Sequence, residues 1–363
     1  MSALRSILLA FCVLVSASVA DAHAAGFRVT FINPGGDGGF WGHVSKTMQA
    51  AAADFDIGLE TLNADRRPYF MEQLLQERIS RGNLPDYFVL VNELQEGGRL
   101  MQLLDEQPVE TVFLLNTLTK SQYEVLNERV QSTIIGSITP NNEWAGYEMA
   151  QSLISFGTSG GADGSGLRML ALTGDDSTPA ALDRQRGMEQ AAADSGVDLL
   201  GAVPVNWNED IAYERAKTFL SRTHVDAIWG ANDAIALGAK RAAIELGMKP
   251  GENIAFAGLN WSKAGMEAVK NGQLTMTHGG HFFAGAWVIV MLYDYHNRPA
   301  PKSALDNVSF QMSAITRDNV NLFLERLGDQ NWAKIDFLGF SQAMTGLSQY
   351  DFSATAILNA AKN

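Results

Sequence analysis

The chain has 363 residues, is 46% apolar, carries a formal net charge of −13 and contains one cysteine. That length accommodates two cores of ordinary domain size. The acidic balance, with no cluster of Lys and Arg, sets aside nucleic acid and anionic membrane as partners, since both repel a surface of their own sign.

The amino terminus carries Arg5, an apolar stretch from Ile7 to Val15, and Ala22-His23-Ala24. This is the plan of a cleaved secretory leader, so residues 1–24 are expected to be a signal peptide and the exported chain to start at Ala25. The apolar stretch falls short of the roughly 18 residues a membrane span requires. Cys12 lies inside the leader, which leaves the mature chain without a thiol, a disulfide or a Cys-ligated metal. Phe11 stands where a lipoprotein needs a small residue.

Short β-rich runs then alternate with stretches of helical period, the pattern of parallel sheets covered by helices. Phe27 to Asn33 reads as the first strand, leading through a Gly-rich turn into a helix with Val44, Met48, Ala52 and Phe55 on one face. Strands are expected at 58–62, 87–91 and 109–115, with helices at 71–81 and 97–105 between them. From Pro140 the pattern restarts with a helix through 144–154 and a loop at 156–166 rich in Gly, Ser and Thr. A second series follows: strands at 168–173, 200–205, 226–229, 254–258 and 274–277, with helices at 180–195, 208–222, 233–246 and 263–271. A helix over 283–295 has no place in that finished series and is assigned back to the first lobe. Beyond residue 314 only a helix at 318–327 is legible.

In open α/β sheets ligands gather outside the carboxyl ends of the strands. The residues following these strands are dense in Asn, Asp, Arg and Trp. The candidate ligand set is Asn33, Asp37, Phe40, Trp41, Asn92, Asn116, Asp176, Arg184, Trp207, Asn232, Asn260, Trp261 and His281. Planar amide, carboxylate and guanidinium groups each take two hydroxyls in fixed geometry, while an aromatic face covers the C–H side of a ring, so the mixture suits a neutral polyol or sugar. Competing structural readings stay open: Asp233 and Thr178 fit helix caps as well as ligand contacts, and Phe40 and Trp41 fit a helix core. Asn208 reads as a cap, and Arg186 as a surface partner of an acidic residue.

Three enzyme-like strings are set aside. Gly35 to Gly39 fits no register of the dinucleotide fingerprint. Gly157-Thr158-Ser159-Gly160-Gly161 satisfies the hydrolase string but precedes a strand instead of forming a strand-to-helix elbow. His278-Gly279-Gly280-His281 offers half a zinc site with no third ligand nearby, and its glycines suit a crossover between lobes. No cofactor, no metal and no catalytic residue are expected; a secreted hydrolase using Ser159, or a zinc enzyme using the His pair, is the rival from another class.

From Phe27 to Thr316 the order of motifs resembles the type I periplasmic binding proteins for ribose and related sugars, which share their fold with the lactose-repressor-type regulators. Arg184-Gln185-Arg186-Gly187 is similar to their Arg-x-Arg-Gly segment and carries ligand contact to Arg184; Ala231-Asn232-Asp233 is similar to their Asn-Asp segment and carries it to Asn232. The turn from Asn33 to Trp41 looks like the place where such proteins stack aromatics on the sugar. The chain departs at Gly258-Leu259-Asn260-Trp261, where an amide replaces a carboxylate, and at His278 to His281, where the ribose proteins use glutamine. A tryptophan here is also similar to the autoinducer-2 receptor. The resemblance implies two doubly wound α/β lobes joined by three crossovers and closing on a small ligand. It divides the chain into 25–139 plus 281–307, 140–280 plus 308–316, and an extension, 317–363, packing on the lobes. It also implies a monomer, located in the periplasm, that delivers its ligand to an ABC permease in the inner membrane, or serves a sensor kinase or cyclase.

Overall fold

The computed structural model describes residues 26–157, 166–298, 305 and 307–362. The leader and the Ser159 string beyond Gly157 lie outside the described residues.

The first half alternates β1 (Arg28–Asn33), α1 (Gly39–Asp54), β2 (Gly58–Asn63), α2 (Pro68–Ser80), β3 (Tyr87–Leu90), α3 (Gly97–Leu103) and β4 (Glu110–Leu114). Two short helices, α4 (Lys120–Glu124) and α5 (Glu128–Thr133), lead to β5 (Ile134–Pro140). The sequence reading left residues 116–139 unassigned, because Ile134 to Pro140 mixes Gly and Ser with its branched residues and ends in a proline. Its edge is covered by a later strand, so its interior is as buried as that of β4.

The second half runs α6 (Asn142–Gly157), β6 (Arg168–Thr173), α7 (Pro179–Asp194), β7 (Asp198–Pro204), α8 (Glu209–Leu220), β8 (Ala227–Gly230), α9 (Asp233–Glu245), β9 (Ala255–Leu259), α10 (Lys263–Lys270) and β10 (Met276–Gly279). Phe156 and Gly157, read as loop, close helix α6. The chain then returns through α11 (Ala284–His296) and β11 (Asn307–Phe310), and crosses once more into β12 (Ser313–Thr316), α12 (Val320–Leu327), α13 (Gln342–Thr345) and α14 (Ala354–Ala360).

Two six-stranded sheets result, ordered β11-β5-β4-β3-β1-β2 and β12-β10-β9-β8-β6-β7. All neighbours are parallel except β10 and β12. Central strands such as Phe31, Val89 and Leu170 are buried on both faces, as parallel sheets covered by helices require. The strand from 307 to 310 pairs with β5, which corrects the expected division: residues 308–310 belong to the first sheet and only β12 to the second. Three crossovers therefore join the lobes, near residues 140–142, 279–281 and 310–313.

Helix α11 is apolar on nearly every side because it is enclosed on nearly every side. It packs on α1, β4 and β5, and Trp287 on its outer face stacks on Phe352 at 4.5 Å and touches Phe340 at 4.7 Å. The carboxyl-terminal extension thus caps the first lobe. Buried Asp294 anchors it by accepting from Ser341 Oγ (2.5 Å), Gln342 N (2.9 Å), Ala343 N (3.1 Å) and Tyr350 Oη (3.0 Å).

Candidate ligand-binding cleft

The carboxyl ends of both sheets face a cleft between the lobes. Phe40, Trp41, Arg66, Glu93, Leu115 and Asn116 line it from the first lobe; Asn142, Thr178, Ala180, Arg184, Trp207, Asn232 and Asn260 line it from the second, with His281 at a crossover. The lobes touch beside it: Asn116 Oδ1 accepts from Ala180 N at 3.0 Å, and Gln95 Nε2 donates to Ser177 O at 3.1 Å.

Arg184 is buried at the centre. Its Nε donates to Asn142 Oδ1 (2.9 Å), Nη1 to the Ala231 carbonyl (3.0 Å) and Nη2 to His281 Nε2 (3.2 Å). Two of its five N–H groups are left for a ligand. This placement depends on how closely α6 and α7 approach. A Cβ on Gly146 would lie 2.0 Å from the Arg184 carbonyl oxygen, and one on Gly187 would lie 1.8 Å from that of Glu143. The Arg-x-Arg-Gly spacing therefore places an arginine on the cleft side and a glycine where the helices cross. Arg186 stays at the surface, paired with Asp183 and Glu143.

Burial lowers the Arg184 pKa to about 10. Burial, and then the Arg184 charge and His278, hold His281 well below the usual histidine range, so the ring is neutral. Because Nε2 accepts from Arg184, the ring proton sits on Nδ1, which is buried and has no partner among the described residues. The ring stacks on Phe40 at 4.4 Å. His278 instead bonds Glu148 at 2.7 Å, so the two histidines serve different neighbours.

Asn232 caps α9, its Oδ1 accepting from Ile235 N at 2.8 Å, and its amide nitrogen has no partner among the described residues. The cap thus falls on Asn232 and not on Asp233, which is buried behind the cleft and accepts from Ser262 N (2.8 Å) and Thr277 Oγ1 (2.7 Å). Asn208 caps α8 as read. Thr178 stands at the start of α7 without a capping bond; its hydroxyl faces Leu94 N across the cleft at 3.4 Å.

Several cleft residues hold left-handed backbone without being glycine: Arg66 (φ 59°), Leu115 (64°), Trp207 (59°) and Asn260 (141°). Each such residue costs about 1–3 kcal/mol, and such strain gathers where side chains are aimed at a ligand. Trp207 is fixed further by Nε1 donating to Asp175 Oδ2 at 2.6 Å. Asp175 is buried, which would raise its pKa, but its bonds from Thr178, Ser177 and Trp207 prevail and lower it.

Eight of the thirteen candidates meet here: Phe40, Trp41, Asn116, Arg184, Trp207, Asn232, Asn260 and His281. Five do not. Asn33 is spent organising its turn, through Ser45, Asn63 and Gly35. Asp37 is exposed and holds Asn63. Asn92 is buried and satisfied by Thr117, Gln122 and Gly97. Asp176 points to solvent. Trp261 lies under the crossover, with Nε1 on the Ser313 carbonyl at 2.9 Å and its ring on Phe323 at 4.8 Å; a Cβ on Gly280 would meet that ring at 2.7 Å. Arg66 and Asn142 were missed, although extending the rule of residues after strands to the strand ending near Leu62 reaches Arg66. Glu93 satisfied that rule but stood outside the candidate set.

Residues 29–297 match the periplasmic binding protein domain family. A periplasmic sugar-binding protein of known structure from Pseudomonas fluorescens is 34% identical, with 92% of this chain and 99% of that one covered and a TM-score of 0.81. The periplasmic component of the arabinose ABC transporter from Shewanella sp. ANA-3, bound to α- and β-L-arabinofuranose, is 19% identical, with 84% and 96% covered and a TM-score of 0.69. The Caulobacter myo-inositol binding protein, bound to myo-inositol, is 18% identical, with 81% and 94% covered and a TM-score of 0.68. The last two likenesses carry the fold alone. No curated protein matches the chain.

Proposed function

The chain belongs to the periplasmic binding protein domain family, and from that premise we propose that it captures a sugar or sugar-like polyol between two closing lobes and delivers it to an ABC permease. The observation that carries this reading is the set of donors left unused by the protein, on Arg184 and Asn232, beside the aromatic faces of Phe40, Trp41 and Trp207. Donors at fixed positions take ring hydroxyls, and aromatic faces cover C–H surfaces. Ligand-driven closure fits lobes joined by crossovers whose residues, Gly279 and Gly280, have φ of 157° and 90°.

Export to the periplasm fits the leader-like amino terminus. Delivery to a permease is the reading we put ahead of a sensor-kinase or cyclase receptor, because the 34% identical protein from Pseudomonas fluorescens is itself a periplasmic sugar-binding protein. Binding without turnover is the expected behaviour, since the family is one of binding proteins.

A thermal-shift screen of the mature, ligand-free protein against pentoses, hexoses, polyols and furanosyl compounds tests the reading, since a ligand specific for the folded state raises the melting temperature. A shift that disappears in Arg184→Ala and Asn232→Ala is expected. A shift that survives both substitutions would place the site elsewhere.

A further inference from the structure

The polar groups of the cleft are unequal in kind. Besides the two free N–H groups of Arg184 and the Asn232 amide, Asn116 has its oxygen committed to Ala180 N and only its amide nitrogen free. The His281 N–H is buried and adds no donor to the cleft, while the exposed Arg66 guanidinium has no side-chain hydrogen bond or ion pair among the described residues. Acceptors are scarce. The Asn142 oxygen is taken by Arg184, and Asp175 behind Trp207 is saturated by Ser177, Thr178 and Trp207. Asn260 offers one amide oxygen. Glu93 is the one carboxylate on the lining.

Its charge is weakened as well. Burial raises the Glu93 pKa to about 7, with Arg66 opposing and Asp175 reinforcing the shift. Two guanidinium groups therefore share the cleft with one partly protonated acid. Every hydroxyl of a neutral polyol brings a proton that must find an acceptor, whereas a carboxylate brings acceptors and no proton.

We infer that the ligand is a sugar acid, an aldonate or uronate, whose carboxylate is taken by the guanidinium groups of the cleft while its hydroxyls meet the amides. This rests on the capture reading above and narrows it. The titratable groups around Glu93 are Arg66 after β2, Asp175 after β6, Arg184 on α7 and His281 at the crossover. Glu93 gains negative charge as pH rises past 7, so an anionic ligand binds more weakly there. A neutral sugar that donates to Glu93 shows the opposite slope.

Titration calorimetry of the ligand-free protein at pH 6 and pH 8 tests this, with pentonates, hexonates and hexuronates against the corresponding neutral aldoses and myo-inositol. The best acid is expected to exceed its neutral counterpart by about tenfold or more, a charge-assisted bond being worth that much. Its affinity should fall between pH 6 and pH 8, and Glu93→Gln should remove that fall. Arg66→Met should reduce the preference for the acid by about threefold to fivefold, because Arg66 is exposed to solvent. A neutral sugar that binds as well as or better than its acid overturns the inference and leaves sugar capture standing. Silence from both panels overturns both.

Discussion

Replacing Gly146 by alanine tests the packing that aims Arg184. The added Cβ would sit 2.0 Å from the Arg184 carbonyl oxygen, where ordinary contact begins near 3.4 Å. Helices α6 and α7 must then part by about 1 Å or more, and the Arg184 bonds of 2.9, 3.0 and 3.2 Å lengthen toward breaking. Overpacking costs about 1–3 kcal/mol, and the strained charge-assisted bonds add to that. Alanine's better helix propensity returns about 1 kcal/mol. The net loss is about 2 kcal/mol, which lowers the melting temperature by roughly 3–6 °C in a protein of this size. Ligand affinity should fall by about tenfold or more, since 1.4 kcal/mol at the binding group suffices. Differential scanning calorimetry and ligand titration read the two effects, with Gly339→Ala, where a Cβ meets nothing within 4 Å, as the control expected to change neither. A Gly146→Ala protein with unaltered melting and affinity would refute the claim that helix approach positions the arginine.

Trp207→Phe keeps an aromatic face but removes the donor to Asp175; affinity should drop by about threefold to tenfold, measured by titration calorimetry. Burial raises the Asp233 pKa from 3.8 to about 6 against its bonds from Thr277 and Ser262, so the folded state holds that proton more tightly than the unfolded one. Its contribution therefore favours folding at low pH and is lost as pH rises from about 4 through 6; Asp233→Asn should remove this component from the difference between the two melting curves across that window. Asp294→Asn turns an N–H toward backbone and hydroxyl donors already aimed at the carboxylate, and should cost about 1.5–3 kcal/mol with faster hydrogen exchange in residues 341–361. Trp261→Phe should lower the melting temperature through loss of the Ser313 bond and leave affinity within about threefold.

Where the sequence carried a period, the architecture was legible: the alternation of strands and helices, the restart near Pro140, and the return of residues 283–295 to the first lobe could all be read from it. The strand at 134–140 and the pairing of 307–310 were not, because their strand character comes from a neighbour and not from composition. At the cleft, the resemblance of the Arg-x-Arg-Gly segment found Arg184, inside α7, and position after a strand found Trp207 and Asn260. It could not separate them from Asn33 and Asn92, which occupy equivalent places but spend their amides on their own turns. Asn and Asp close turns and bind ligands with the same atoms, so only the hydrogen-bond accounting distinguishes them. Arg66 was within reach of the same rule, three residues beyond β2, but the rule was not carried to that strand, and its left-handed backbone, unusual for arginine, is not signalled by propensity.

The discontinuity of the first lobe bears on how the molecule comes to be folded. Its sheet lacks an edge until residues 307–310 arrive, and α1 lacks its partner helix until 284–296 do; Thr47 reaches Phe282 across 235 positions of chain. Each lobe has five of its six strands within one unbroken run, β1 to β5 and β6 to β10, but only the first also waits for a helix, α11, that is made after the other lobe. A chain emerging from its amino terminus therefore carries the apolar face of α1 without its partner helix until residues 284–296 are made, whereas α6 to α10 of the second lobe are made in a single run. Contacts of such separation slow folding, so the first lobe, whose α1 and α11 meet across more than two hundred residues, is expected to be the slower of the two to close.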